Sequence, residues 1–238
     1  MTETALILGT GPGLGTALAR RFARAGLNVA VAARDARRLE SLLPELHETG
    51  AADARAYACD VASAGFVRAA FRGTCDELGT PRLVVFNAGV YEPAGLLETA
   101  PEDFERSWRT GCLGGFLVAQ QAIRAMQAAG ARADGTFGSL IFTGATASLR
   151  GGARFHNLAA GKFGLRALAQ CLAREFGPAG IHVAHVIIDG RIRAEGEADA
   201  DDGRLDPDAI AESYWQLHCQ PRNAWTHELD LRPWREPF

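Results

Sequence analysis

The sequence lacks paired cysteines, long apolar runs and any large charge imbalance, and each lack removes a class of protein. Its five cysteines (59, 75, 112, 171 and 219) are odd in number, scattered and without a C-x-x-C pair. That argues against a disulfide framework or a thiolate metal site and for reduced thiols in a cytoplasmic protein. No stretch approaches the ~20 apolar residues of a membrane span, and no basic leader precedes the first apolar segment. A net charge of −3 offers no basic surface for nucleic acid or an anionic membrane. The six histidines (47, 156, 182, 185, 218 and 227) show no metal-ligand spacing. His182 and His185 fall at odd separation on an extended run, hence on opposite faces. Repeats and Pro/Ser linkers are missing too, so residues 1–238 read as one domain.

What is present is an alternation. Short apolar or β-branched runs stand at 4–8, 29–33, 55–59, 83–86, 140–143, 182–188 and, weakly, 227–231. Between them lie helical patterns at 16–25, 36–48, 64–78, 101–129, 155–176 and 207–219. Continuous apolar strands separated by helices of this length imply a parallel sheet covered on both faces. Right-handed crossovers make it a doubly wound, three-layer α/β fold with its ligand at the carboxyl ends of the strands.

The first strand runs into Gly9-Thr10-Gly11-Pro12-Gly13-Leu14-Gly15, which opens the first helix. Glycines there let the backbone turn sharply and approach a ligand closely, and the helix N-terminus attracts a diphosphate. With leucine at 14 the spacing is G-x-x-x-G-x-G through Gly9, Gly13 and Gly15. Two later stretches differ from the rest. Residues 189–206 carry Glu195, Glu197, Asp199, Asp201, Asp202 and Asp206 with little that is apolar, as either a lid or a solvated loop. The tail Leu231-Arg232-Pro233-Trp234-Arg235-Glu236-Pro237-Phe238 is aromatic and proline-broken, a composition that packs onto its own or a neighbouring subunit.

The glycine turn, Asp60-Val61, Asn87-Ala88-Gly89, Lys162 and Gly190 occur in an order and spacing that resemble the short-chain dehydrogenase/reductase family over essentially the whole chain. The resemblance implies an NAD(P)-binding, Rossmann-like sheet of seven strands in the order 3-2-1-4-5-6-7. It implies that Gly9, Gly11, Gly13, Leu14 and Gly15 line the pyrophosphate and that Asp60 and Val61 meet the adenine. Asn87, Ala88 and Gly89 would border the ribose, Lys162 would hold the nicotinamide ribose hydroxyls, and Gly190 would follow the sixth strand at the cofactor. Taken alone, Asp60 also reads as a helix N-cap and Lys162 as a solvated charge. The tip of the second strand is Ala33, which repels no 2′-phosphate; Arg34 follows it, with Arg37 and Arg38 a turn later. Guanidinium groups pair with phosphate bidentately, so NADP(H) is expected over NAD(H), with Arg34 and Arg38 as its contacts and Asp35 as a helix N-cap.

The departure is at the chemistry. The family's tyrosine, four residues before the lysine, falls at Leu158; its serine falls at Ala145 and its asparagine at Gly111. A phenol beside an ammonium protonates a carbonyl oxygen, and leucine has no proton to give. The loop proline and threonine after the sixth strand have become Asp189 and Ala194. Replacement proton donors are Tyr91, His156 and Thr146. Their plainer readings are a loop aromatic, a ring turned away from the lysine and a backbone cap. Phe155, Leu158, Ala159 and Phe163 make the surroundings apolar. Two functions fit: NADPH-dependent reduction of a small apolar carbonyl or activated alkene with an atypical proton donor, or a silent dinucleotide-binding sensor or structural subunit. The resemblance also implies a homodimer or homotetramer paired through helices 101–129 and 155–176, with Gly114, Gly115, Ala159, Ala160 and Gly161 permitting close approach.

Overall fold

The computed structural model describes residues 2–194, 196–198 and 203–236. Of the acidic segment and tail, Glu195, Asp199, Asp201, Asp202, Pro237 and Phe238 lie outside the described residues. Seven strands form one sheet: β1 (Thr4–Leu8), β2 (Asn28–Ala33), β3 (Ala54–Ala58), β4 (Pro81–Phe86), β5 (Gly138–Thr143), β6 (Ile181–Ile188) and β7 (Glu228–Leu231). Their order is β3-β2-β1-β4-β5-β6-β7, every pairing is parallel, and β1 opposes β2 from Thr4↔Asn28 to Leu8↔Ala32. The fold is the doubly wound, Rossmann-like α/β class read from the alternation.

Because successive side chains on a strand leave by opposite faces, each strand feeds two cores. Ala5, Ile7, Val29 and Val31 pack on one side with Leu18 and Phe22 of α1 (Leu14–Arg24). Leu6, Leu8, Val84 and Phe86 pack on the other. The first layer also holds α2 (Arg37–Glu40) and α3 (Leu43–Thr49); α4 (Ala64–Glu77) covers the second. The helix expected over 36–48 is two short helices. Pro44 lies in the first turn of α3, and proline has no N–H and clashes with the preceding turn, so the run breaks before it.

The helix expected over 101–129 is likewise interrupted. Here α5 (Pro101–Trp108) passes through a π-helical turn, Arg109–Leu113, into α6 (Gly114–Ala128). The turn carries Gly111 against Gly161 of α7 (His156–Phe176): a Cβ on Gly111 would lie 3.6 Å from the Gly161 Cα. Gly115 is occupied similarly, since a Cβ there would meet Leu165 at 2.4 Å. Gly111, Gly115 and Gly161 are thus closely approached within the chain, as is Gly114 by Val61. The last helix, α8 (Pro207–His218), lies along α1 and starts on Asp206, whose carboxylate accepts the Asp208 N–H at 2.9 Å. No helix among the described residues is long and apolar enough to cross a membrane.

Candidate active site

Every strand ends toward the same edge, and the loops there gather the residues singled out by the sequence. Gly9 leaves β1 with φ +88°, and a Cβ on it would lie 2.5 Å from the Ala88 nitrogen. Only glycine lets the segment after β4 press so closely on this turn. Asn87 sews the two together, its Nδ2 donating to the Gly9 carbonyl at 3.1 Å. Gly15 is tight as well, its Cβ position 2.8 Å from the Thr10 Cα, and Leu14 is buried.

The other two glycines face open space. Gly13, at φ +94°, is the N-cap of α1, and nothing lies within 4 Å of a Cβ built on it or on Gly11. No side chain caps that helix and no acid stands in its first turn. An uncapped helix start under an open backbone cradle fits a diphosphate, whose charge complements the helix dipole.

At the tip of β2, Arg34 is exposed, and Arg37 and Arg38 extend into solvent 3.6 and 3.5 Å from the two Asp35 carboxylate oxygens. Asp35 accepts the Arg37 N–H at 3.2 Å, but the N-cap of α2 is Ala36, so Asp35 stands one residue outside its expected place. Asp60 closes a turn onto the Ala62 N–H at 3.0 Å, and the cap of α4 is Ser63. Val61 is buried against Gly114.

Lys162 is the sole lysine of the chain, against 24 arginines. It is buried, and its Nζ donates to the Thr143 carbonyl at 2.7 Å. The Thr143 hydroxyl is held in turn by the Tyr214 hydroxyl at 2.9 Å, so a contact with α8 fixes the end of β5. Gly89 abuts the ammonium: a Cβ there would sit 3.6 Å from Nζ. Burial pulls Lys162 down to about 8. An ammonium has three donors, and one is used by Thr143, which leaves capacity for ribose hydroxyls. Leu158 stands one turn before it on α7, half-buried, and Ala145 and Gly111 contribute no polar side chain. The glycine turn, Asn87, Gly89 and Lys162 are thus brought together.

The three replacement donors have other engagements. Tyr91 is 72% exposed and its ring rests on Phe155, 5.7 Å between centroids. His156 bonds the Thr99 hydroxyl through Nε2 at 3.0 Å and stacks on Phe104, which turns it toward α5. Thr146 caps no backbone; its hydroxyl donates to Asp189 at 2.5 Å. Asp189 is buried, and its second oxygen takes Arg232 of the tail at 2.7 Å. Gly190 (φ +146°) is covered by the tail, its Cβ position 2.7 Å from Pro233. A side chain at 190 would therefore collide with the tail.

Two groups escape the sequence reading. Asp189 stands out there only as a missing proline, although a carboxylate at a strand end needs a partner when buried. His185, on β6, is fully buried, with Nδ1 3.1 Å from Glu228, which Arg166 of α7 grips through two bonds of 2.7 Å. Burial pushes His185 down to about 4. Its signal is a histidine inside an otherwise apolar strand. Beside the glycine turn, a cleft of about 450 Å³ is lined by Gly13, Ala17, Arg193 and Asp206 among others. The base of the 189–206 segment is pinned there by an Ile192↔Leu205 bridge and an Arg193–Asp206 ion pair of 2.8 Å.

Comparison with known proteins agrees with this geometry. A family model described as short chain dehydrogenase matches residues 3–201. The 3-oxoacyl-[acyl-carrier-protein] reductase MabA of Mycobacterium tuberculosis is 31% identical over 192 residues, covering 81% of this chain and 70% of that protein. Among solved structures, a short-chain dehydrogenase from Rhodopseudomonas palustris superposes with a TM-score of 0.84 at 35% identity, over 98% of this chain and 99% of its own. An alcohol dehydrogenase from the archaeon Thermococcus sibiricus, complexed with 5-hydroxy-NADP, gives 0.88 at 25% identity over 100% of this chain and 99% of its own.

Proposed function

The chain belongs to the short-chain dehydrogenase family of oxidoreductases, and from that premise we propose that it uses NADP(H) to reduce a small, apolar carbonyl compound or activated alkene. The observation that carries this is Lys162, buried on the Thr143 carbonyl beside Gly89 and under an open glycine turn. Gly11, Gly13 and the start of α1 would take the pyrophosphate, and Lys162 the nicotinamide ribose. The nicotinamide, when bound, supplies the hydride. This chain's residues orient it and exclude water with an apolar wall of Phe155 and Leu158.

The cofactor preference rests on Ala33, Arg34 and Arg38. The Thermococcus alcohol dehydrogenase, complexed with an NADP derivative, supports the same choice. Replacing Arg34 and Arg38 together by alanine is expected to weaken NADPH about tenfold, a typical worth for exposed charge-assisted phosphate contacts, while leaving NADH unchanged. Quenching of protein fluorescence by each nucleotide measures this, and equal losses for both would refute the assignment.

A second reading, a silent dinucleotide-binding protein, is favoured by Leu158, Ala145 and Gly111 together. Micromolar NADPH binding without turnover of any carbonyl in a broad panel would select it. We place the protein in the cytoplasm on its free cysteines. We also propose that it pairs through α5 to α7, where Phe104, Trp108, Phe116 and Phe163 are each about two-fifths exposed. Light scattering that shows only monomer would end that proposal.

A further inference from the structure

We infer that Thr146 and Asp189 form the proton path of this site, Thr146 touching the substrate oxygen and Asp189 acting through it. The inference rests on the oxidoreductase reading above. Thr146 follows Ala145, the position vacated by the family's serine, at the strand edge where the substrate would lie. Its side chain is partly accessible, and its hydroxyl hydrogen is committed to Asp189 at 2.5 Å. Behind it the carboxylate is buried and held by Arg232, which also reaches Asp230 at 3.1 Å. Tyr91 and His156 have no comparable buried proton acceptor among their contacts in the described residues.

The chemistry follows from the direction of that bond. In alcohol oxidation the substrate O–H passes its proton to the Thr146 Oγ as Thr146 passes its own to Asp189. The C–H electron pair would leave as hydride to the oxidised nicotinamide when that group is bound. The products are a carbonyl compound, the reduced dinucleotide and a protonated Asp189, which returns its proton to water. In carbonyl reduction each transfer reverses, and the path delivers a proton only from the protonated carboxyl. The same two groups thus serve both directions, Asp189 taking the proton in oxidation and giving it back in reduction. The charged groups facing Asp189 are Arg232 and, through it, Asp230.

The test pairs two variants with one rescue. Asp189→Asn keeps an acceptor oxygen for one of Thr146 and Arg232, turns an NH2 toward the other and cannot take a proton; Thr146→Val removes the hydroxyl and Thr146→Ser restores it. With linear secondary alcohols from four to ten carbons and NADP⁺ at pH 7.5, the first two are expected to lose roughly 10²-fold in kcat. Thr146→Ser is expected to stay within threefold of wild type. NADPH affinity and melting temperature report whether the variants fold and load. Wild-type rates in folded Asp189→Asn or Thr146→Val overturn the path. So does wild-type protein that binds NADPH yet turns over neither alcohols nor ketones. Wild-type protein that binds no nucleotide instead overturns the reading on which the path rests.

Discussion

Leu158→Tyr is expected to raise carbonyl reduction by about 10²-fold or more, the ordinary worth of a positioned general acid. Leu158 and Lys162 are one helical turn apart on α7, so their side chains share a face. Lys162 is already seated, its Nζ on the Thr143 carbonyl. A phenol introduced at 158 gains an ammonium neighbour that favours its ionised form and so makes it a better proton donor. Leu158 is half-buried, so the core does not enclose a larger ring at this position. Adding Ala145→Ser should raise the rate further by holding the substrate oxygen. Initial rates of NADPH oxidation with a ketone panel check this. Unchanged rates in a folded, NADPH-binding Leu158→Tyr protein would show that Lys162 is not placed as the account requires.

Lys162→Met is expected to stabilise the protein while damaging its nucleotide site. The ammonium is buried, and desolvation lowers it from 10.5 to about 8. Each unit corresponds to 1.36 kcal/mol, so the charged form costs the folded state roughly 3 kcal/mol at neutral pH. Below pH 8 both folded and unfolded chains carry the proton, and the whole cost is present. Between about 8 and 10.5 the folded chain sheds it while the unfolded chain keeps it, so this group's contribution to stability rises with pH. Cys59 and Tyr57, both pushed up to about 12 by burial, oppose that trend above their unfolded values. The difference between wild-type and Lys162→Met denaturation curves isolates the lysine. A gain of about 1–3 kcal/mol at pH 7 that shrinks toward pH 10 is expected, reduced by the lost hydrogen bond to Thr143. A loss of stability at pH 7 would mean that the ammonium is better solvated than its burial implies. NADPH binding should weaken in the same variant, so this lysine is kept for function against stability.

The strands were legible because an apolar run such as Val29–Ala32 or Leu83–Phe86 must be covered on both faces, whereas their order followed only from the family resemblance. The glycine turn was legible for a related reason, since few local structures need glycine at both Gly9 and Gly13. Helix continuity was less so. Pro44 is visible in the sequence and marks a break in the helix over 36–48, whereas the π-helical turn at Arg109–Leu113 has no periodic signature, because it arises from packing Gly111 on Gly161. Within the cofactor side only the glycine turn is a local motif; Asn87 and Lys162 were connected to it through the family resemblance. The proton side has no such motif. Thr146 and Asp189 are 43 residues apart, and Arg232 comes from the tail after β7. Their meeting depends on the pairing of β5, β6 and β7, which no local pattern announces.

Isothermal titration of the purified protein with NADPH and with NADH decides whether the glycine turn and Lys162 hold a phosphorylated dinucleotide. Saturable, one-to-one heat is expected with NADPH, at an affinity about tenfold above that for NADH, and that preference is expected to be lost when Arg34 and Arg38 are replaced. No heat with either nucleotide from a folded protein would contradict both expectations.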